Sequence, residues 1–172
     1  MRRVSASARG QALIEFALVL PLLLLLIMNL VNFGAFIYGM TTVANAARTG
    51  AQYMIMGGAW VGGPIPPDKL TQVIPVITQD LASLPNAASP SVLVQVCTNN
   101  NGTVACAGSG AFAALPNDPE NNVSTGIFVL ASVDVSYPYT PLIPGWDFPG
   151  LGIHLTLPPT TIHRRAVMRM VQ

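Results

Sequence analysis

The chain has 172 residues, room for one modest folded domain beyond a membrane segment. Charged residues make up only 9 % and hydrophobic ones 51 %, and mean hydropathy is positive at +0.52, which sets the chain apart from ordinary soluble domains. A formal net charge of +1 leaves no basic footprint of the kind nucleic-acid binding requires.

The first element is an apolar helix. Arg2, Arg3 and Arg9 precede a stretch in which no Asp, Glu, Lys or Arg occurs between Phe16 and Ala47. By the positive-inside rule, residues 1–10 face the cytoplasm and the remainder lies across the membrane. A hydrocarbon core about 30 Å thick takes about 20 helical residues. Residues 13–33 are expected to supply them, with the helix running on through 11–56. Pro21 removes one backbone hydrogen bond, so a kink or loosened turn is expected there. Beyond the span, TTVANAARTGAQYM carries Val43, Ala44, Ala47, Ala51 and Met54 on a narrow stripe that would let another element approach closely.

GGAWVGGPIPP reads as a linker over 57–67, and 68–172 as an extracytoplasmic α+β domain. Within that domain, Leu70, Val73, Ile74, Ile77, Leu81 and Leu84 fall on one helical face. Pro75 argues for a kinked helix or two short ones. From residue 91 the pattern turns to β. SVLVQVC alternates, and GIFVLASVDVSY begins apolar on both faces and ends with Val133, Val135 and Tyr137 opposite Asp134 and Ser136. That fits a central strand whose far end emerges into solvent, leaving Asp134 and Asp147 solvated. LGIHLTL and TTIHRRAVMRMV read as the last two strands of an antiparallel sheet of about four. Cys97 and Cys106 flank TNNNGTVA; on the outer side of a membrane such a pair reads as a disulfide, the alternative being two free thiols.

Glu15 is the one acidic residue among the first sixty-seven, and it stands before thirteen residues without a polar side chain. An ionisable group at the mouth of a lipid span implies a partner. A secretory signal peptide needs a small-x-small site soon after its apolar core, and Ala44-Asn45-Ala46 lies too far away. No hydrophobic pattern directly follows the twin arginines, which disfavours a twin-arginine signal. Gly10, four residues, then Glu15-Phe16 and a long apolar helix resembles the type IV pilin cleavage site. The wider match, GQALIEFALVLPLLLLLIMNLVNFG with TTVANAARTGAQY and VDVSYPYTPLIP, is similar to the TadE-like family of Tad/Flp pilus assembly proteins.

That resemblance implies a prepilin peptidase cut between Gly10 and Gln11, with Glu15 and Phe16 serving processing and helix registration. Glu15 would become the fifth residue of the mature chain and pair with an N-terminal amine, its own or a neighbour's. It also implies other pilin or pseudopilin subunits and the Tad inner-membrane platform as partners, and placement in the inner membrane or in the pilus itself. Phe16, where major Flp pilins often carry Tyr, and about 120 residues beyond the helix point to a minor pilin or pseudopilin. The rivals are an uncleaved single-pass scaffold of the apparatus and a membrane-anchored enzyme.

Little supports the enzyme. His154 and His163 have no acidic or cysteine partner at ligand spacing, Gly108-Ser109-Gly110 lacks the G-x-S-x-G frame, and no cofactor or metal is expected. YPYTPLIPGWDFPG offers Tyr139 and Trp146 as a partner-binding loop, the alternative for Trp146 being a cap on the domain's own core. Arg165 and Arg169 are expected on one face of the last strand and Arg164 on the other, guarding a sheet edge or meeting a partner.

Overall fold

The computed structural model describes residues 5–56, 67–100, 102–119, 128–145, 147–148, 153–154 and 156–171. Helix α1 (Ser5–Met56) and helix α2 (Pro67–Leu81) precede strands β1 (Leu93–Asn100), β2 (Thr103–Gly108), β3 (Phe128–Tyr139), β4 (Asp147–Phe148), β5 (Ile153–His154) and β6 (Thr160–Val171). The main sheet is antiparallel with order β2-β1-β3-β6, and β4 pairs with β5 in a separate two-stranded ribbon. The architecture is α+β: a long apolar helix, a shorter helix and a four-stranded antiparallel sheet. The chain divides into two compact units, one of Met1–Ile37 with Pro141–Pro159, the other of Tyr38–Thr140 with Thr160–Gln172.

In the second unit, one face of the sheet carries Val94, Val96, Val129, Ala131, Val133, Val135 and Tyr137, all buried. The α1 residues Val43, Ala46, Ala47, Ala51 and Met54 are buried in the same unit, with Ala44 half-buried. Small side chains make this approach possible. A Cβ at Gly50 would lie 2.7 Å from Ile77 Cγ1 and 3.4 Å from Val133 Cγ1, so the helix axis could not come so near with any larger residue there. At Gly39 a Cβ would meet Ile162 Cδ1 at 3.4 Å, an ordinary contact. Helix α2 buries Leu70, Val73, Ile77 and Leu81, the periodic face read from sequence, with Leu84 buried just beyond its end. The turn after it is tied to β3, where Asn86 N–H donates to the Tyr137 hydroxyl at 3.3 Å and Asn86 Nδ2 donates to Thr140 Oγ1 at 2.6 Å.

Helix α2 runs as one element through Pro75, which lies on the exposed side, where water can meet the carbonyl left without its amide. α1 likewise runs through Pro21. Two expectations need correction. The fourth strand of the main sheet is β2, formed by Thr103–Gly108, whereas among the described residues Ile153–His154 pairs with Asp147–Phe148 alone. β3 does not emerge into solvent, since Ser132 and Asp134 are 1 % exposed and Ser136 9 %, close to the valines between them. The linker expected over 57–67 falls outside the described residues up to position 66, and Pro67 already opens α2.

Candidate functional site: the exposed apolar helix

Residues 10–24 of α1 are exposed on every face. From Leu13 to Phe33 the leucines other than Leu25, both isoleucines and both phenylalanines stay uncovered, with Leu18 73 % and Leu22 68 % accessible. Such a surface is unstable in water and at home in lipid or against other apolar helices. One stretch within Gly10–Ile55 is long and apolar enough to cross a membrane. Gly10 stands at its start with open space where a Cβ would be, so the backbone on both sides is accessible. One turn on, Gln11 Nε2 donates to Glu15 Oε1 at 3.2 Å, which places the head of residue 11 and the carboxylate on the same helical stripe. Phe16 is 61 % exposed.

The exposed run ends at a polar clamp within the first unit. Asn32 is fully buried; its Nδ2 donates to the Ile143 carbonyl at 3.0 Å and its Oδ1 accepts from the Ile143 N–H at 3.0 Å. One side chain thus satisfies both main-chain groups of one residue, 111 positions away. A turn earlier, Asn29 Nδ2 donates to the Leu25 carbonyl at 3.0 Å. No reading of the sequence marked Asn32. A polar side chain in the middle of a charge-free run was the signal available.

In the second unit, the sheet face opposite the helices is polar and covered by residues 111–118. Arg165 Nε donates to Asp134 Oδ1 at 2.7 Å, a second nitrogen of Arg165 donates to the Ala113 carbonyl, and His163 Nε2 lies 3.1 Å from the same carboxylate oxygen. The His163 ring stacks on Phe112 with centroids 5.0 Å apart. Arg169 grips Asp118 through Nε and a terminal nitrogen at 2.6 and 2.8 Å. Asn99 Nδ2 donates to the Leu115 carbonyl and to Asn117 Oδ1, both at 2.9 Å. Arg165 and Arg169 do share a face, and β6 is an edge strand, but these two arginines serve as internal fasteners rather than as edge guards. Asp134, expected in solvent, is 1 % exposed.

Cys97 and Cys106 are joined by a disulfide directly across the β1–β2 register. Tyr139 ends β3 and is only 5 % exposed, so it is a core side chain near Gly39 and not part of an exposed loop. Burial of its hydroxyl, and next the charge of neighbouring Tyr137, raise its pKa above the ordinary phenol value. Trp146 lies outside the described residues. His154 pairs in register with Asp147 in the small ribbon. Among the described residues, no group of three or more His, Cys, Asp or Glu is placed to hold a metal ion.

The family model described as TadE-like protein matches residues 10–52. This chain carries a TadE-like helix. The matched segment lies wholly within α1, starts at Gly10 and closes in the stripe of small residues. The match covers 43 of the 172 residues and speaks for that helix alone. No curated protein and no solved structure matches the chain.

Proposed function

We propose that the protein is a minor pilin or pseudopilin of a Tad/Flp-type pilus, cut by a prepilin peptidase between Gly10 and Gln11. The TadE-like match beginning at Gly10, on a helix exposed on every face from residue 10 to residue 24, carries this reading. Cleavage removes Arg2, Arg3 and Arg9 and frees the amine of Gln11, one turn from Glu15. An amine at that place can take over the carboxylate that the Gln11 amide now holds, and an opposite charge at close range lowers the cost of keeping Glu15 beside lipid. The exposed helix then packs laterally with other pilin helices in the inner membrane, at the Tad platform or in the filament, while the sheet unit stands on the extracytoplasmic side.

Co-expression with a prepilin peptidase tests this. Gly10→Ala should leave a longer, unprocessed chain in the membrane, because only glycine leaves the backbone bare at the cut. Glu15→Ala should still insert and yet lose pilus assembly. A parent chain that stays unprocessed beside the peptidase would favour the uncleaved scaffold instead, a processed Gly10→Ala chain would move the cut away from Gly10, and normal piliation with Glu15→Ala would overturn the role given to that carboxylate.

A further inference from the structure

We infer that residues 141–145 form a second membrane contact, fastened to the helix by Asn32 at the outer boundary of the lipid span, with Leu142 entering the interfacial layer of the bilayer. The inference rests on α1 crossing the membrane and goes beyond it by assigning a separate segment to the same lipid surface.

Length places the clamp at the boundary. Gln11 and Asn32 are 21 residues apart in α1, so at 1.5 Å per residue they are separated by about 32 Å, close to the roughly 30 Å hydrocarbon thickness. With the Gln11–Glu15 pair at the cytoplasmic edge, the fully buried Asn32 falls at the other edge. Its neighbours on the same turns, Leu30, Val31 and Phe33, are 66, 42 and 54 % exposed. Ile143 is therefore held on a helical turn whose remaining faces are apolar and open. Leu142, next to the clamp, is itself 56 % exposed and extends that apolar surface sideways.

The segment is built to leave water at low cost. A backbone entering the interface must bring its amide protons with partners. Of the four main-chain nitrogens in residues 141–144, those of Pro141 and Pro144 carry no proton, and that of Ile143 donates to Asn32. Between Asp134 and Arg164 the sequence has a single charged residue, Asp147, and no lysine or arginine. A surface exposed to water on all sides would gain nothing from this composition. Continuity with the uncovered helix makes lipid, rather than a soluble protein, the occupant.

The test uses the full chain in liposomes, with Trp60→Phe and Trp146→Phe as background and one new tryptophan at a time. Leu142→Trp should emit at short wavelength and be quenched most by lipids brominated near the headgroup end of their chains. Leu22→Trp, at the middle of the span, should be quenched most by lipids brominated deep in the chain. Adding Asn32→Leu should abolish most of the quenching seen with Leu142→Trp and leave that of Leu22→Trp unchanged. Water-like, unquenched emission from Leu142→Trp beside a quenched Leu22→Trp would overturn the second contact and leave the span intact. Quenching of Leu142→Trp that survives Asn32→Leu would overturn the fastening. If neither tryptophan is quenched, the span fails and the second contact with it.

Discussion

Arg165 reaches across from β6 to a carboxylate that water cannot reach: its Nε lies 2.7 Å from Oδ1 of Asp134. The two partners are unequal, since the Arg165 side chain is 25 % exposed and that of Asp134 1 %. Removing Arg165 leaves Asp134 buried with only the half-exposed His163 nearby, whereas removing the Asp134 charge lets Arg165 turn outward. Arg165→Leu should therefore cost about 3 kcal/mol. Asp134→Asn, which keeps the shape and a hydrogen-bonding oxygen, should cost less, about 1–2 kcal/mol. Urea denaturation of the detergent-solubilised chain, followed by far-UV circular dichroism, measures both; equal losses would show that Asp134 is not the dependent partner.

A second asymmetry concerns glycines on α1. Gly50→Ala drives a methyl into Ile77 and should destabilise by about 1–3 kcal/mol despite the better helix propensity of alanine. Gly39→Ala meets Ile162 at an ordinary distance and should be neutral or gain up to about 1 kcal/mol. Thermal unfolding of the two variants side by side decides it, and the reverse order would mean that this part of α1 does not pack as described.

The disulfide should be a stabiliser and no more. It closes a short loop across a hairpin already paired from Gln95 to Asn100, so Cys97→Ala with Cys106→Ala should lower stability by about 2–3 kcal/mol. The exchange protection of β1 and β3 amides should survive, measured by hydrogen exchange under native conditions.

Tyr139 sets an alkaline limit. Its hydroxyl is held neutral by burial, so the folded-state pKa lies above the unfolded value of about 10. The stabilisation from this group is complete below that unfolded value and drains away as pH rises toward the folded pKa, because the unfolded chain ionises first. Unfolding midpoints taken upward from pH 9 should fall less steeply in Tyr139→Phe than in the parent chain.

Much of the helical half was legible in the sequence because its signals are one-dimensional. The absence of charge from Phe16 to Ala47 announces an exposed apolar helix, and the spacing from Leu70 to Leu84 survives Pro75 because the proline sits on the wet side. The sheet was less legible for a physical reason. β2 is short and made of small residues, so it carries almost no hydrophobic pattern; the better clue was Asn101-Gly102, the strongest two-residue hairpin signal, with Gly102 at φ 94°. Alternation on β3 was read correctly, but what covers the polar face depends on Ala113, Leu115 and Asp118 in an irregular strap with no period to detect. The Asn32–Ile143 clamp joins positions 111 apart, which no local pattern reveals.

The central claim is that Gly10 and Glu15 frame a processing site, and the most direct measurement is the N-terminus of the mature protein. Intact mass and N-terminal sequencing of membrane-extracted material, made in cells with a prepilin peptidase, should give a chain that begins at Gln11. A chain that still begins at Met1, or one that begins after Ala46, would contradict the account.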